Sequence, residues 1–154
     1  MFVMIDIYGE SLPASLKAGI DFLKVNRKEF IAKFGSNNEK SFRTIQDFIK
    51  IFKEEKIEEA IITFDKKGAL FYKKGLAWHG KIKKIFSQYN IGSGDSFLAG
   101  YIYGLVNNFD KIECFKIAMA CGVANTLIYG AGKLKQEDVL EIKDKYIEID
   151  EIII

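Results

Sequence analysis

The segment Tyr89-Asn90-Ile91-Gly92-Ser93-Gly94-Asp95-Ser96-Phe97-Leu98-Ala99-Gly100 sets a carboxylate directly behind a glycine-rich turn that opens an apolar run. Gly92 and Gly94 flank Ser93, so the backbone can take positive φ there and approach a ligand without a Cβ in the way. Successive N–H groups of such a turn face one concavity, and the positive end of the following helix favours an anion in it. Phosphate and a general base, Asp95, could therefore meet at residues 92–95. Asp95 also falls where a carboxylate can simply cap a helix start, and that alternative needs no ligand. The turn is neither a Walker A loop nor a complete Gly-x-Gly-x-x-Gly fingerprint, so spacing alone does not name a reaction.

Gly92, Gly94, Asp95, Phe97 and Gly100 resemble the C-terminal signature of the PfkB, or ribokinase-like, carbohydrate kinases. The branch most similar contains tagatose-6-phosphate kinase and 1-phosphofructokinase, with Ala99-Gly100 matching its Ala-Gly. The resemblance implies that Asp95 deprotonates a sugar hydroxyl and that Gly92, Ser93 and Gly94 bind the transferred phosphoryl group. It also implies ATP as donor and Mg2+ as its counter-ion.

Three further segments follow in family order. Lys24-Val25-Asn26 with Glu29 resembles the strand-to-helix junction Lys-Pro-Asn-x-x-Glu, with Val25 in place of proline. The likeness implies Asn26 near the nucleotide phosphates and Glu29 placing magnesium, commonly through water. The same residues would also make a capping box, with Asn26 as N-cap and Glu29 at N3. Residues 60–72 resemble the strand-turn-strand element beneath the nucleotide, with Thr63 and Gly68 as its matching positions. Asp65 departs from that pattern, standing where the family has glycine, and its charge would repel polyphosphate unless turned away or bridged by metal. An ordinary hairpin tipped by Lys66 and Lys67 is the alternative. Residues 120–132 resemble the helix and turn that wall the adenine pocket, with Gly122 and Asn125 closest, although small residues there equally permit tight helix packing.

Members of that family are longer, and residues 2–10 resemble a strand from the middle of their chains. The sequence is thus expected to be the C-terminal half only, lacking the N-terminal half and its lid. One domain over residues 1–154 is expected, a three-layer α/β/α ribokinase-like sheet serving as nucleotide-binding and catalytic half. Alone it should show little or no kinase activity. The expected partners are nucleotide and sugar phosphate, with a complementary N-terminal half or a second copy of the chain. A rival from another class is a non-catalytic nucleotide-binding or assembly module that kept the fold.

Composition agrees with a folded domain. An apolar fraction of 49% and a single proline argue against disorder in this 154-residue chain. Its surface is expected to be about 68–70% buried on folding. No apolar run is long enough to span a membrane, and Asp6 interrupts the N-terminal one, so cytoplasmic residence is expected. The net charge of +2 hides basic pairs at Lys66-Lys67, Lys73-Lys74 and Lys83-Lys84, but the 21 acidic residues are interspersed and no basic stripe emerges, so a solvated surface is expected rather than a nucleic-acid partner. His79 is the sole histidine, which excludes a histidine metal cluster, and a Ser-His-Asp site has no supporting nucleophile elbow. Cys114 and Cys121, seven apart on one expected helix, lie about 10 Å apart along its axis, too far for a disulfide.

Strands are expected at 2–8, 21–25, 59–64, 69–73 and 146–152, with weaker ones at 76–79 and 82–86. Helices are expected at 12–18, 27–34, 41–55, 94–106, 111–128 and 136–144. In the third of these, Phe42, Ile45, Phe48, Ile49 and Phe52 share one face and form a core stripe. The alternation of strand and helix argues for an α/β sheet.

Overall fold

The computed structural model describes residues 2–7, 11–35, 44–85 and 88–153. Its elements are β1 (Met4–Asp6), α1 (Ser11–Ala18), β2 (Phe22–Asn26), α2 (Arg27–Phe34), α3 (Ile45–Glu54), β3 (Glu59–Thr63), β4 (Ala69–Lys73), β5 (Leu76–Ile82), α4 (Ser93–Val106), α5 (Lys111–Asn125), α6 (Gln136–Lys145) and β6 (Ile147–Ile152). They form the expected α/β arrangement around a six-stranded sheet in the order β1-β2-β3-β4-β5-β6. The sheet is mixed, because β1, β2 and β3 run parallel while β4 returns antiparallel to β3. The chain divides into two compact units, Met1–His79 with Asp150–Ile154, and Gly80–Ile149.

In the first unit, Phe22, Leu23, Val25, Ala60, Ile61 and Ile62 are all fully buried, as the continuous apolar runs of parallel strands require. Leu23, Val25, Ala60, Ile62, Leu70 and Tyr72 point into one core with residues of α1, α2 and α3. The stripe of α3 is the middle of that core. Phe52 stacks on Tyr72 at 5.0 Å between ring centroids and meets Phe30 edge-on at 5.5 Å. Phe48 lies 5.3 Å from Phe64, just beyond β3. Each such ring removed from water stabilises the fold by roughly 2–3 kcal/mol. Phe42, expected in the same stripe, lies outside the described residues. The helix begins at Ile45 because Thr44 precedes it as N-cap, with its N–H donating to the Asp47 carboxylate at 2.7 Å.

In the second unit, α4 and α5 pack backbone to backbone through small residues. A Cβ at Gly100 would stand 2.8 Å from Cys121 Sγ and 3.0 Å from Ala118 Cα, and one at Gly104 2.7 Å from Cys114 Sγ. Helix α5 is buried along almost its whole length, from Cys114 to Asn125. Lys143 of α6 donates to Glu113 of α5 at 2.6 Å, and this bond raises the lysine's pKa above its ordinary value.

Two expectations are corrected. The weak strands at 76–79 and 82–86 are one strand, β5, which passes through Gly80 and stops at Ile82. Gly80 permits this continuity because any Cβ there would collide with Met119 of α5. Helix α5 ends at Asn125 rather than 128, because the carbonyl of Thr126 is taken by the N–H groups of Gln88 and Tyr89 and its hydroxyl turns back to Val123 O.

Both cysteines are free and buried, and burial pushes both thiols above their ordinary pKa. They should therefore resist alkylation by iodoacetamide at neutral pH in native protein and react readily once denaturant opens the α4–α5 seam. Replacing Gly100 by Val should lower the stability of this unit by about 1–3 kcal/mol through overpacking, read as a lower denaturant midpoint.

Candidate active site

The glycine turn is built by Gly92, which takes left-handed backbone angles, φ 80° and ψ 0°, as N-cap of α4. Two constraints select glycine here. An L residue disfavours that conformation, and a Cβ would stand 2.6 Å from Ala131 Cβ and 2.8 Å from its Cα. Gly94 differs from the expectation: it needs no positive φ, because it already lies in the first turn of α4. Ser93 closes the turn on itself, its N–H and hydroxyl both donating to Asn90 O at 3.3 and 2.9 Å.

No side chain caps α4. The first-turn N–H groups of Gly94 and Asp95 have no acceptor within the helix, so they present positive charge outward. Asp95 is exposed in that turn, and its carboxylate has no hydrogen bond or ion pair among the described residues. The capping alternative for Asp95 is therefore not what the geometry shows. An unengaged carboxylate beside unengaged N–H donors can accept a proton while the donors stabilise an anion.

Asn125 holds this arrangement. It is fully buried at the end of α5, and its Oδ1 accepts from Ser96 Oγ at 3.1 Å and from the N–H of Gly132 at 2.8 Å. Its Nδ2 donates to Ile91 O at 2.8 Å. One carboxamide thus ties the start of α4, the lead-in to the glycine turn and the turn that carries Ala131. Gly122, one helical turn earlier, lets α5 approach Ser93 O and Phe97 Cβ to within 3.3 Å of where its own Cβ would be. The buried Ser96 and the neighbouring Thr126 were not singled out in the sequence, although both sit one residue from positions that were.

The first unit gathers the remaining positions at the carboxyl ends of its parallel strands, where α/β sheets of this kind place ligands. Asn26 ends β2 and Thr63 ends β3, and the two are direct partners in the ladder. Asn26 Oδ1 accepts from the N–H of Glu29 at 2.9 Å, and Glu29 Oε2 accepts from the N–H of Asn26 at 2.9 Å. This is a full capping box at the start of α2. Gly68, with φ 94°, closes the turn after Thr63, its carbonyl accepting from Phe64 N at 2.8 Å. Lys24 stands in the junction matched in the sequence, which gives it no role. Two residues before Asn26 on the same face of β2, it is only 6% exposed, with Nζ 2.7 Å from Asp6 Oδ2. Period-two alternation from Asn26 would have placed it there.

Magnesium is bound by one or two carboxylates with waters and phosphate oxygens rather than by an all-protein cage. Among the described residues no group of His, Cys, Asp and Glu could hold a metal by itself, while Glu29 offers a carboxylate fixed in place by its capping bond. These residues fit an ion that arrives with a nucleotide.

With the fold and both clusters described, the class of protein follows from comparison with known chains. Residues 4–138 match the pfkB family carbohydrate kinases, and the chain belongs to that family. It is 32% identical over 129 residues to a 1-phosphofructokinase of Borreliella burgdorferi, an alignment covering 81% of this chain and 41% of that protein. Phosphofructokinase-2 of Escherichia coli superposes with a TM-score of 0.80 at 26% identity, over 93% of this chain and 47% of that one. Ribokinase of Thermotoga maritima shares the fold, with a TM-score of 0.74 at 20% identity, over 94% of this chain and 49% of that one. The fold is thus ribokinase-like, and the chain spans less than half the length of these relatives. Among the described residues no helix is long and apolar enough to cross a membrane.

Asn125→Ala would leave buried donors and an acceptor unpaired and should cost about 3 kcal/mol or more, whereas Asn26→Ala, which loses one cap, should cost about 1 kcal/mol. Urea melts of the two variants measure the difference.

Proposed function

We propose that this chain supplies the nucleotide-binding and catalytic half of an ATP-dependent kinase acting on a hydroxyl of a sugar phosphate, of the tagatose 6-phosphate or fructose 1-phosphate type. Asp95 carries the reading: an exposed, unengaged carboxylate in the first turn of α4, three residues after the left-handed Gly92. In this reading Asp95 accepts the proton of the acceptor hydroxyl as it attacks the γ-phosphorus. The open N–H groups of Gly94 and Asp95, with Gly92 and Ser93 shaping the turn, stabilise charge on the transferred phosphoryl group. Asn26, Thr63 and Gly68 receive the nucleotide at the strand ends, and Glu29 meets magnesium through water. Magnesium, when bound, neutralises charge on the phosphates. Gly122 and Asn125 serve nucleotide binding by holding helix and turn in place, since the Asn125 amide is already committed to protein partners.

Family membership and relatives that are 1-phosphofructokinases support phosphoryl transfer to a sugar phosphate. The acceptor is expected to need residues that the longer relatives carry beyond the matched region. We infer that a complementary N-terminal half, or a second copy of the chain, completes the enzyme. The setting we propose is the cytoplasm.

Titration calorimetry with ATP and magnesium tests the reading. Wild type and Asp95→Asn should bind alike, while Gly94→Val, which sets a branched side chain against the first-turn N–H groups, should bind at least about tenfold more weakly. Supplying an N-terminal half from a relative should produce sugar-phosphate turnover with wild type and a loss of at least about a hundredfold with Asp95→Asn. Failure of a folded wild-type chain to bind nucleotide would instead favour a scaffold that kept the fold without the function.

A further inference from the structure

Asp65 is a residue whose charge the fold does not use. It follows Thr63 by two positions in the turn to β4, is exposed, and its carboxylate has no hydrogen bond or ion pair among the described residues. The turn is held by main-chain bonds, from Phe64 N to Gly68 O at 2.8 Å, Lys67 N to Phe64 O at 3.1 Å and Gly68 N to Asp65 O at 3.2 Å. His79 adds one contact, with Nε2 3.3 Å from Lys67 O. The backbone of Asp65 has φ 52°, a left-handed conformation that glycine adopts without the steric cost an L side chain carries. A carboxylate with no hydrogen-bond or ion-pair partner among the described residues therefore stands in a left-handed turn position that Asn and Gly can also take, beyond the ladder pair Asn26 and Thr63.

We propose that Asp65 is a specificity residue that makes nucleotide binding depend on a divalent cation. The inference rests on the reading that Asn26, Thr63 and Gly68 receive the nucleotide. A carboxylate at that turn repels the polyphosphate of metal-free ATP, and it repels the magnesium complex less because the cation cancels much of the charge. Lys66 and Lys67, exposed on the same turn, attract both forms, so attraction at the tip stays general while Asp65 supplies discrimination. The chain would thus reject bare nucleotide before it could occupy the site unproductively.

Calorimetry on the whole chain, with ATP in EDTA and with ATP in excess magnesium, separates the outcomes. Asp65→Asn keeps a residue that tolerates the left-handed conformation and removes only the charge. Asp65→Gly also removes the steric constraint. Both variants should bind metal-free ATP on the order of fivefold more tightly than wild type, while affinity for the magnesium complex changes by less than about twofold. An unchanged ratio of the two affinities in Asp65→Asn, with native circular dichroism and melting, would overturn the proposal, as would an equal change in both. If folded wild type binds neither form, the nucleotide-site reading itself falls, which is a different result from a site that binds without discriminating.

Discussion

The carboxamide of Asn125 is the fixed point on which the glycine turn depends. A turn that leaves N–H groups open to a ligand cannot use those groups to stabilise itself, so its shape must be imposed from behind. Asn125 does this from the buried end of α5, with one oxygen accepting from Ser96 and Gly132 and one nitrogen donating to Ile91. Leaving any of these buried groups unpaired costs more than the bond itself contributes, which makes the arrangement all-or-none. The glycines of the α4–α5 seam then have a second consequence: close helix packing brings the Asn125 side chain to the back of the turn. The shape of the glycine turn and the stability of the second unit are consequently the same physical fact.

The first unit solves a parallel problem differently. There the strand ends set the positions, because adjacent parallel strands place Asn26 and Thr63 side by side whatever the following loops do. The capping box then fixes the Glu29 carboxylate through one oxygen. Capping and function, offered as alternatives for this pair, are compatible: the bond that starts α2 also removes the rotamer freedom of the carboxylate. At Asp95 the two readings separate, since that carboxylate caps nothing.

Much of this was legible in the sequence because the determinants are local. The apolar stripe of α3 and the glycine punctuation before α4 depend on near neighbours, and each produced the expected element. The parts that were not legible depend on distant contacts. Period alone could not show that Gly80 lies under Met119 and so lets β5 run through. Nor could it show that Thr126 gives its carbonyl to Gln88 and Tyr89, which ends α5 early. Gly92 and Gly94 look equivalent in sequence, yet of the two only Gly92 has a positive φ, and Ala131 excludes a side chain at Gly92. The sequence resemblance puts Asn125 near the nucleotide, but its place behind the turn becomes visible only when residues 91, 96 and 132 converge on it.

The central claim is that the N–H groups held in place by Asn125 receive phosphate. Amide-resolved NMR of the chain during titration with ATP and magnesium tests it most directly. Large shifts at Gly92, Ser93, Gly94 and Asp95 in wild type, lost in an Asn125→Ser variant that remains folded, are the predicted result. Saturable binding that leaves those amides unmoved in wild type would contradict the account.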